Sequence, residues 1–248
     1  MSTIIKKEVI ITSHPRRQVG NPIILIIDLI SILIGFYGIY TNMIYVELPP
    51  HLKDAGQWQF LTNLSLIYSI ITFIIGFLAH LFKNQTLFLI KNDLHPIGLA
   101  LESIVAGVYW PLRLFFLNLL TKDPSKFKMP IVTDLSIHLM PIISLLIDYL
   151  VFMPKWTISI NTALAFVVSF TTFYWFLLKN LIDLEKGGRY PYEFMNVEKE
   201  SERIIVFVVV GTVAFGQFLL MRQVYDWVVG KTEEASIKID KELDKKNL

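Results

Sequence analysis

Four residues in this chain are of types suited to acyl chemistry: Thr62, Asp134, His138 and Arg113. A threonine hydroxyl is a poor nucleophile until a base takes its proton, and histidine is the usual base because its pKa lies near neutrality. The base works better when a third group fixes its tautomer. Asp134 and His138 stand one helical turn apart, so their side chains can meet. Arg113 is suited to binding a substrate carboxylate or to stabilising developing negative charge. Plainer roles exist for the same residue types. A threonine at a helix start commonly caps or back-bonds the helix, and a lone membrane histidine commonly serves as a structural hydrogen-bonding group. Spacing alone leaves both readings open.

The elements that must hold these residues follow from composition. The 248 residues are 54% hydrophobic and 18% charged, with mean hydropathy +0.53, more apolar surface than a soluble domain of this size hides. The expectation is an all-α, polytopic membrane helix bundle. Six runs are long and apolar enough to span a bilayer core of about 30 Å: 22–44, 59–82, 98–121, 131–153, 157–180 and 203–228. The first is too long for the apolar part of a signal peptide and is expected to stay as a permanent span. The implied organisation is a polar tail over 1–21, a six-helix domain over 22–228 and a charged tail over 229–248. With a net charge of +2 and scattered basic residues, nucleic acid is not an expected partner. There is no cysteine, which excludes disulfides, thiol catalysis and cysteine-held metals.

An even number of spans puts both termini on one side. Lysine and arginine are more numerous there, with Lys91 counted in a loop on that side, so cytosolic termini are expected. The final "KKNL" resembles a dilysine retrieval signal, which would place the protein in the endoplasmic reticulum membrane; a frayed charged tail is the plainer reading. Of two sequon-like triplets, the one at Asn63 is expected to be buried and the one at Asn84 to face the cytosol.

Polar residues recur at helical spacing in three spans. Thr62, Ser65, Ser69, Thr72 and Gly76 share one face of the second; Glu102, Ala106, Tyr109 and Arg113 share one of the third; Asp134, His138, Pro141, Leu145 and Asp148 share one of the fourth. Small residues at this spacing mostly let helices pack closely. Charges are costlier, at about 2.5–3.5 kcal/mol each at mid-bilayer, so they are expected to face the bundle interior. Depth sorts them. Thr62 lies about 6 Å along its helix from Trp58, His138 about 10 Å from Ile131, and Arg113 about 12 Å from the exit near Thr121. Thr62, Asp134, His138 and Arg113 therefore share a layer on the side away from the termini. Asp28, His80, Glu102, Asp148 and Arg222 lie nearer the terminal side.

The stretch "YVELPPHLKDAGQWQFLTNLSLI" resembles the androgen-induced-gene and androgen-dependent TFPI-regulating protein family, in which an E-x-P segment precedes a Trp, aromatic, Leu-Thr run opening a membrane helix. Glu47, Pro49, Gly56, Trp58, Phe60, Leu61 and Thr62 follow that order. "DLSIHLMPIISLLID" is similar to the family's histidine and following acid, here His138 and Asp148, with Asp134 four before the histidine. "RYPYEF" is similar to its aromatic-Tyr-Pro-Phe segment, although the histidines that precede that segment in the family are replaced in "LLKNLIDLEKGGRYP".

The resemblance implies an intramembrane threonine hydrolase with Thr62 as nucleophile and His138 as base. It would cleave fatty acid esters of hydroxy fatty acids, need no cofactor, and take as its partners a lipid ester with acyl chains and the surrounding membrane lipids. Two other classes compete: a non-catalytic lipid-binding or scaffold protein, and a small carrier using Glu102, Arg113 and Asp148. The absence of internal repeats stands against the carrier. No GxSxG elbow, HExxH or phosphate loop occurs, and no histidine pair has metal-ligand spacing on a helix.

Overall fold

The computed structural model describes residues 15–121 and 128–246, and in them the chain is an all-α polytopic bundle. Among the described residues six helices are long and apolar enough to cross a membrane: α1 (Pro22–Tyr45), α2 (Leu61–Leu81), α3 (Gln85–Phe115), α4 (Ile131–Phe152), α5 (Ile160–Leu181) and α6 (Glu200–Lys246), the last over Glu200–Lys231. The chain is thus a multi-pass membrane protein. Most of the tail over 1–21 and the last two residues of "KKNL" lie outside the described residues.

Local chemistry sets the helix starts. Asn21 caps α1 by accepting from the Ile23 amide at 2.9 Å, with Pro22 at the first helical position. Asn84 caps α3 by accepting from the Leu87 amide, which gives the second sequon-like asparagine a structural task. Ser159 caps α5 through the Thr162 amide.

The third span departs most from the sequence expectation. It begins at Gln85 rather than near 98, and carries Lys91, Asn92 and His95 into the interior. Lys91 is therefore no loop cation. Its ammonium lies 2.6 Å from Asp148 and 3.4 Å from Asp28, with all three side chains sealed from solvent. The fourth span is broken. It runs Ile131–His138, turns at Leu139, resumes over Met140–Ile147 and ends in a wide turn at Asp148–Phe152, closed by the Met153 amide donating to the Asp148 carbonyl at 2.9 Å. Pro141 accounts for the break, because it has no N–H for the preceding turn.

Helices α1, α2, α3 and α4 form the packed centre, and α5 and α6 lie at its periphery with wide apolar faces exposed. Close approach depends on small residues. A Cβ at Gly38 of α1 would lie 2.8 Å from Ile137 Cγ2 and 3.0 Å from Ser136 Cβ, so only glycine lets α4 press in next to His138.

Candidate active site

Thr62 is held in place by the polar segment before it. Gly56, at φ +67, turns the chain into the short turn Gln57–Gln59. Buried Gln59 donates to the carbonyls of Leu52 at 2.7 Å and Gly56 at 2.8 Å. Asn63 is fully buried, as expected of its sequon-like triplet; it donates to the Gln57 carbonyl and accepts from Asn42, at 2.7 and 2.8 Å. Phe60 is the cap residue of α2 and offers no side-chain bond, and Thr62, two residues on, is not a cap either.

Its hydroxyl turns instead toward α4. Thr62 Oγ1 lies 3.5 Å from His138 Nε2, and His138 Nδ1 lies 2.8 Å from Asp134 Oδ1. All three side chains are buried. An aspartate on Nδ1 favours the tautomer that leaves Nε2 free to accept a proton. Arg113 Nε lies 3.6 Å from the other oxygen of the same carboxylate. The four residues predicted to share a layer are thus in one chain of contacts. Arg113 stands behind Asp134, as its counter-ion, rather than lining either of the cavities that meet at Thr62.

Two aromatic residues of α3 fix the imidazole. The Tyr109 ring stacks on it at 3.4 Å with the planes 4° apart, and Trp110 Nε1 donates to the His138 carbonyl at 3.2 Å. Tyr109 belongs to the polar stripe of the third span, one turn before Arg113, so its facing was legible. Its stacking was not.

Two cavities meet at this site. An apolar groove runs between α2 and α3 on one side and α5 and α6 on the other, from Thr62 and Tyr109 down to Pro96 and Phe218. From Pro96 to Tyr109 it extends about 20 Å along α3, more than half the thickness of a bilayer core of about 30 Å. A more polar vestibule, lined by Glu47, His51, Gln57 and Lys128 among others, opens on the side away from the termini. Thr62, Tyr109 and Tyr192 line both.

Tyr192 comes from the connection between α5 and α6, which folds back over the start of α2. Arg189 donates its amide to the His51 carbonyl at 3.1 Å. Arg203 reaches from α6 to the carbonyls of Met195 and Val197 and lies 4.1 Å over the Tyr190 ring. Tyr192 packs edge-on against Phe60 and stacks on Phe194. It lines the groove and the vestibule beside Thr62. Burial raises its phenol above the usual tyrosine value, opposed by the neighbouring polar groups of Leu61, Thr62 and Tyr174.

The second polar layer is divided. The Asp28–Lys91–Asp148 cluster, with His95 Nε2 3.5 Å from Asp148, ties α1, α3 and α4 together near the terminal side. Glu102 stands apart and accepts from Ser69 at 2.8 Å. His80 accepts from the Gly20 amide at 3.1 Å, and the Arg222 guanidinium lies 5.7 Å over the Phe218 ring. Among the described residues, no group of three or more His, Cys, Asp or Glu is arranged to hold a metal ion.

Comparison with known proteins agrees with the motif reading at the level of family. The profile of the FAR-17a/AIG1-like proteins matches residues 23–226. A UPF0641 membrane protein of Saccharomyces cerevisiae is 36% identical over 193 residues, covering 72% of this chain and 80% of the relative. A UPF0641 membrane protein of Schizosaccharomyces pombe is 27% identical over 175 residues, covering 71% of this chain and 78% of the relative. No solved structure matches the chain. With its profile match running from the first span into the last, the chain belongs to the FAR-17a/AIG1-like family.

Proposed function

We propose that this protein is an intramembrane lipid ester hydrolase with Thr62 as nucleophile, His138 as general base and Asp134 as the group that orients it. The observation that carries the reading is the Thr62–His138–Asp134 contact chain, at 3.5 and 2.8 Å, buried where an apolar groove meets a polar vestibule. The acyl chain lies in the groove and the alcohol half of the ester extends into the vestibule. Thr62 Oγ1 attacks the carbonyl carbon while its proton passes to His138 Nε2. Collapse of the tetrahedral intermediate breaks the ester C–O bond, and His138 returns the proton to the leaving alcohol. Water then attacks the acyl-threonine, His138 takes the water's proton, and the acid leaves as Thr62 recovers its hydrogen.

The family resemblance favours fatty acid esters of hydroxy fatty acids as substrates. The terminal KKNL and the lysine and arginine bias favour a protein of the endoplasmic reticulum membrane with both termini in the cytosol, which would put the vestibule on the lumenal side. A groove alone would serve a lipid-binding protein equally well; the hydroxyl, imidazole and carboxylate at its mouth favour hydrolysis. Purified protein is expected to release fatty acid from such an ester, and Thr62→Ala and His138→Ala should each abolish release. Activity retained in Thr62→Ala would end this reading.

A further inference from the structure

A threonine ester hydrolase needs donors for the negative charge that develops on the carbonyl oxygen, and the side chains of Thr62, His138 and Asp134 supply none. His138 is committed to the nucleophile's proton through Nε2 and to Asp134 through Nδ1. Arg113 lies against Asp134 and lines neither cavity. The donors must come from the mouth of the groove, beside the Thr62 hydroxyl.

Two features are in place there. Leu61 and Thr62 are the first two residues of α2, so their N–H groups have no partner within the helix. Beside Thr62 at the meeting of the two cavities stands Tyr192, on a connection braced by the Arg189–His51 backbone bond and by Arg203. Tyr192 and Thr62 line both cavities, so the phenol flanks the point where an ester spanning groove and vestibule presents its carbonyl.

We infer that Tyr192, together with the backbone N–H of Thr62, forms the oxyanion hole of the ester hydrolysis proposed above, on which this inference rests. When Thr62 Oγ1 bonds to the carbonyl carbon, the π electron pair moves onto the carbonyl oxygen. That oxygen accepts from the Tyr192 hydroxyl and from the Thr62 amide. Tyr192 keeps its own proton throughout; the proton in transit passes only between Thr62, His138 and the leaving alcohol. Burial suits the phenol to this task, because a group held neutral remains a donor across the physiological range.

The test is Tyr192→Phe in the full-length protein purified in detergent micelles, assayed beside wild type and Thr62→Ala. The substitution keeps the ring contacts with Phe60 and Phe194 and removes only the hydroxyl. We expect kcat to fall about 10²–10³-fold with KM little changed, as for loss of one oxyanion donor. Affinity for an aliphatic trifluoromethyl ketone, which forms a tetrahedral oxyanion adduct with a nucleophilic hydroxyl, should weaken by a similar factor, while a non-reactive amide of equal chain length binds as before.

Should Tyr192→Phe fail to fold, 3-fluorotyrosine in place of Tyr192 keeps nearly the same bulk with a more acidic phenol. The alkaline limb of kcat should then move to lower pH, which packing alone would not produce. Wild-type kcat in Tyr192→Phe with Thr62→Ala inactive would overturn the oxyanion role and leave the hydrolase standing, as would an unmoved alkaline limb in the fluorinated protein. Full activity in Thr62→Ala would remove both.

Discussion

The buried Lys91 cluster predicts a sharp asymmetry among single substitutions. Lys91 is the cation between Asp148 at 2.6 Å and Asp28 at 3.4 Å, and none of the three side chains is reached by solvent. Lys91→Met keeps the length of the side chain and removes its charge, leaving two carboxylates facing each other between α1, α3 and α4. Breaking a buried ion pair by deleting one partner costs about 3–5 kcal/mol. For a chain of this size that corresponds to a fall in Tm of about 6–20 °C.

Asp148→Asn should cost more than Asp28→Asn, since Asp148 makes the shorter contact. Gly76 reports on the same cluster sterically. A Cβ there would lie 2.6 Å from Asp28 Oδ2 and 2.8 Å from Lys91 Nζ, so Gly76→Ala must push the pair apart at a cost of about 1–3 kcal/mol. Thermal unfolding of the purified variants in one detergent, followed by fluorescence-detected size exclusion, reads all four. A Lys91→Met protein melting within about 2 °C of wild type, well short of the shift worked above, would refute the view that this ion cluster locks the three helices.

Two further outcomes bear on the site. Asp134→Asn exchanges a carboxylate that only accepts for an amide that can donate to Nδ1, so the His138 tautomer is no longer set; kcat is expected to fall about 10³–10⁴-fold with KM near its wild-type value, measured from the substrate dependence of ester hydrolysis. Ala214→Trp on α6 fills the apolar groove. It should abolish turnover of long-chain esters while an acetyl ester, which needs only the mouth of the groove, is still cleaved; equal loss of both would argue against an acyl chain lying between α2, α3, α5 and α6.

The parts of this arrangement that sequence reveals are those carried by local pattern. Helical spacing alone brought Asp134 to His138, and counting residues from the expected span ends put Thr62, His138 and Arg113 at one depth. Polar residues inside the third span worked against the same method. "KNDLHP" reads as a loop because Lys91, Asp93 and Pro96 each argue against a membrane helix, and only partners from distant segments make it tolerable. Asp28 and Asp148 neutralise Lys91. Asn92 accepts from the amide and hydroxyl of Thr157, both at 3.0 Å.

Tyr192 was hidden for the same reason. It belongs to a short motif after the fifth span, and its task depends on that connection folding back over the start of α2, as the Arg189–His51 bond records. The break after His138 had a visible cause in Pro141, yet the Trp110 bond to the His138 carbonyl depends on how α3 lies beside α4.

Covalent capture of the nucleophile is the most direct test of hydrolysis at this site. Purified protein treated with a long-chain fluorophosphonate, digested and sequenced by mass spectrometry, should carry the phosphonyl group on Thr62, and His138→Ala should lose the adduct because the hydroxyl then has no base. An unlabelled Thr62 in protein that is actively hydrolysing ester, or an adduct on another residue, would contradict the account.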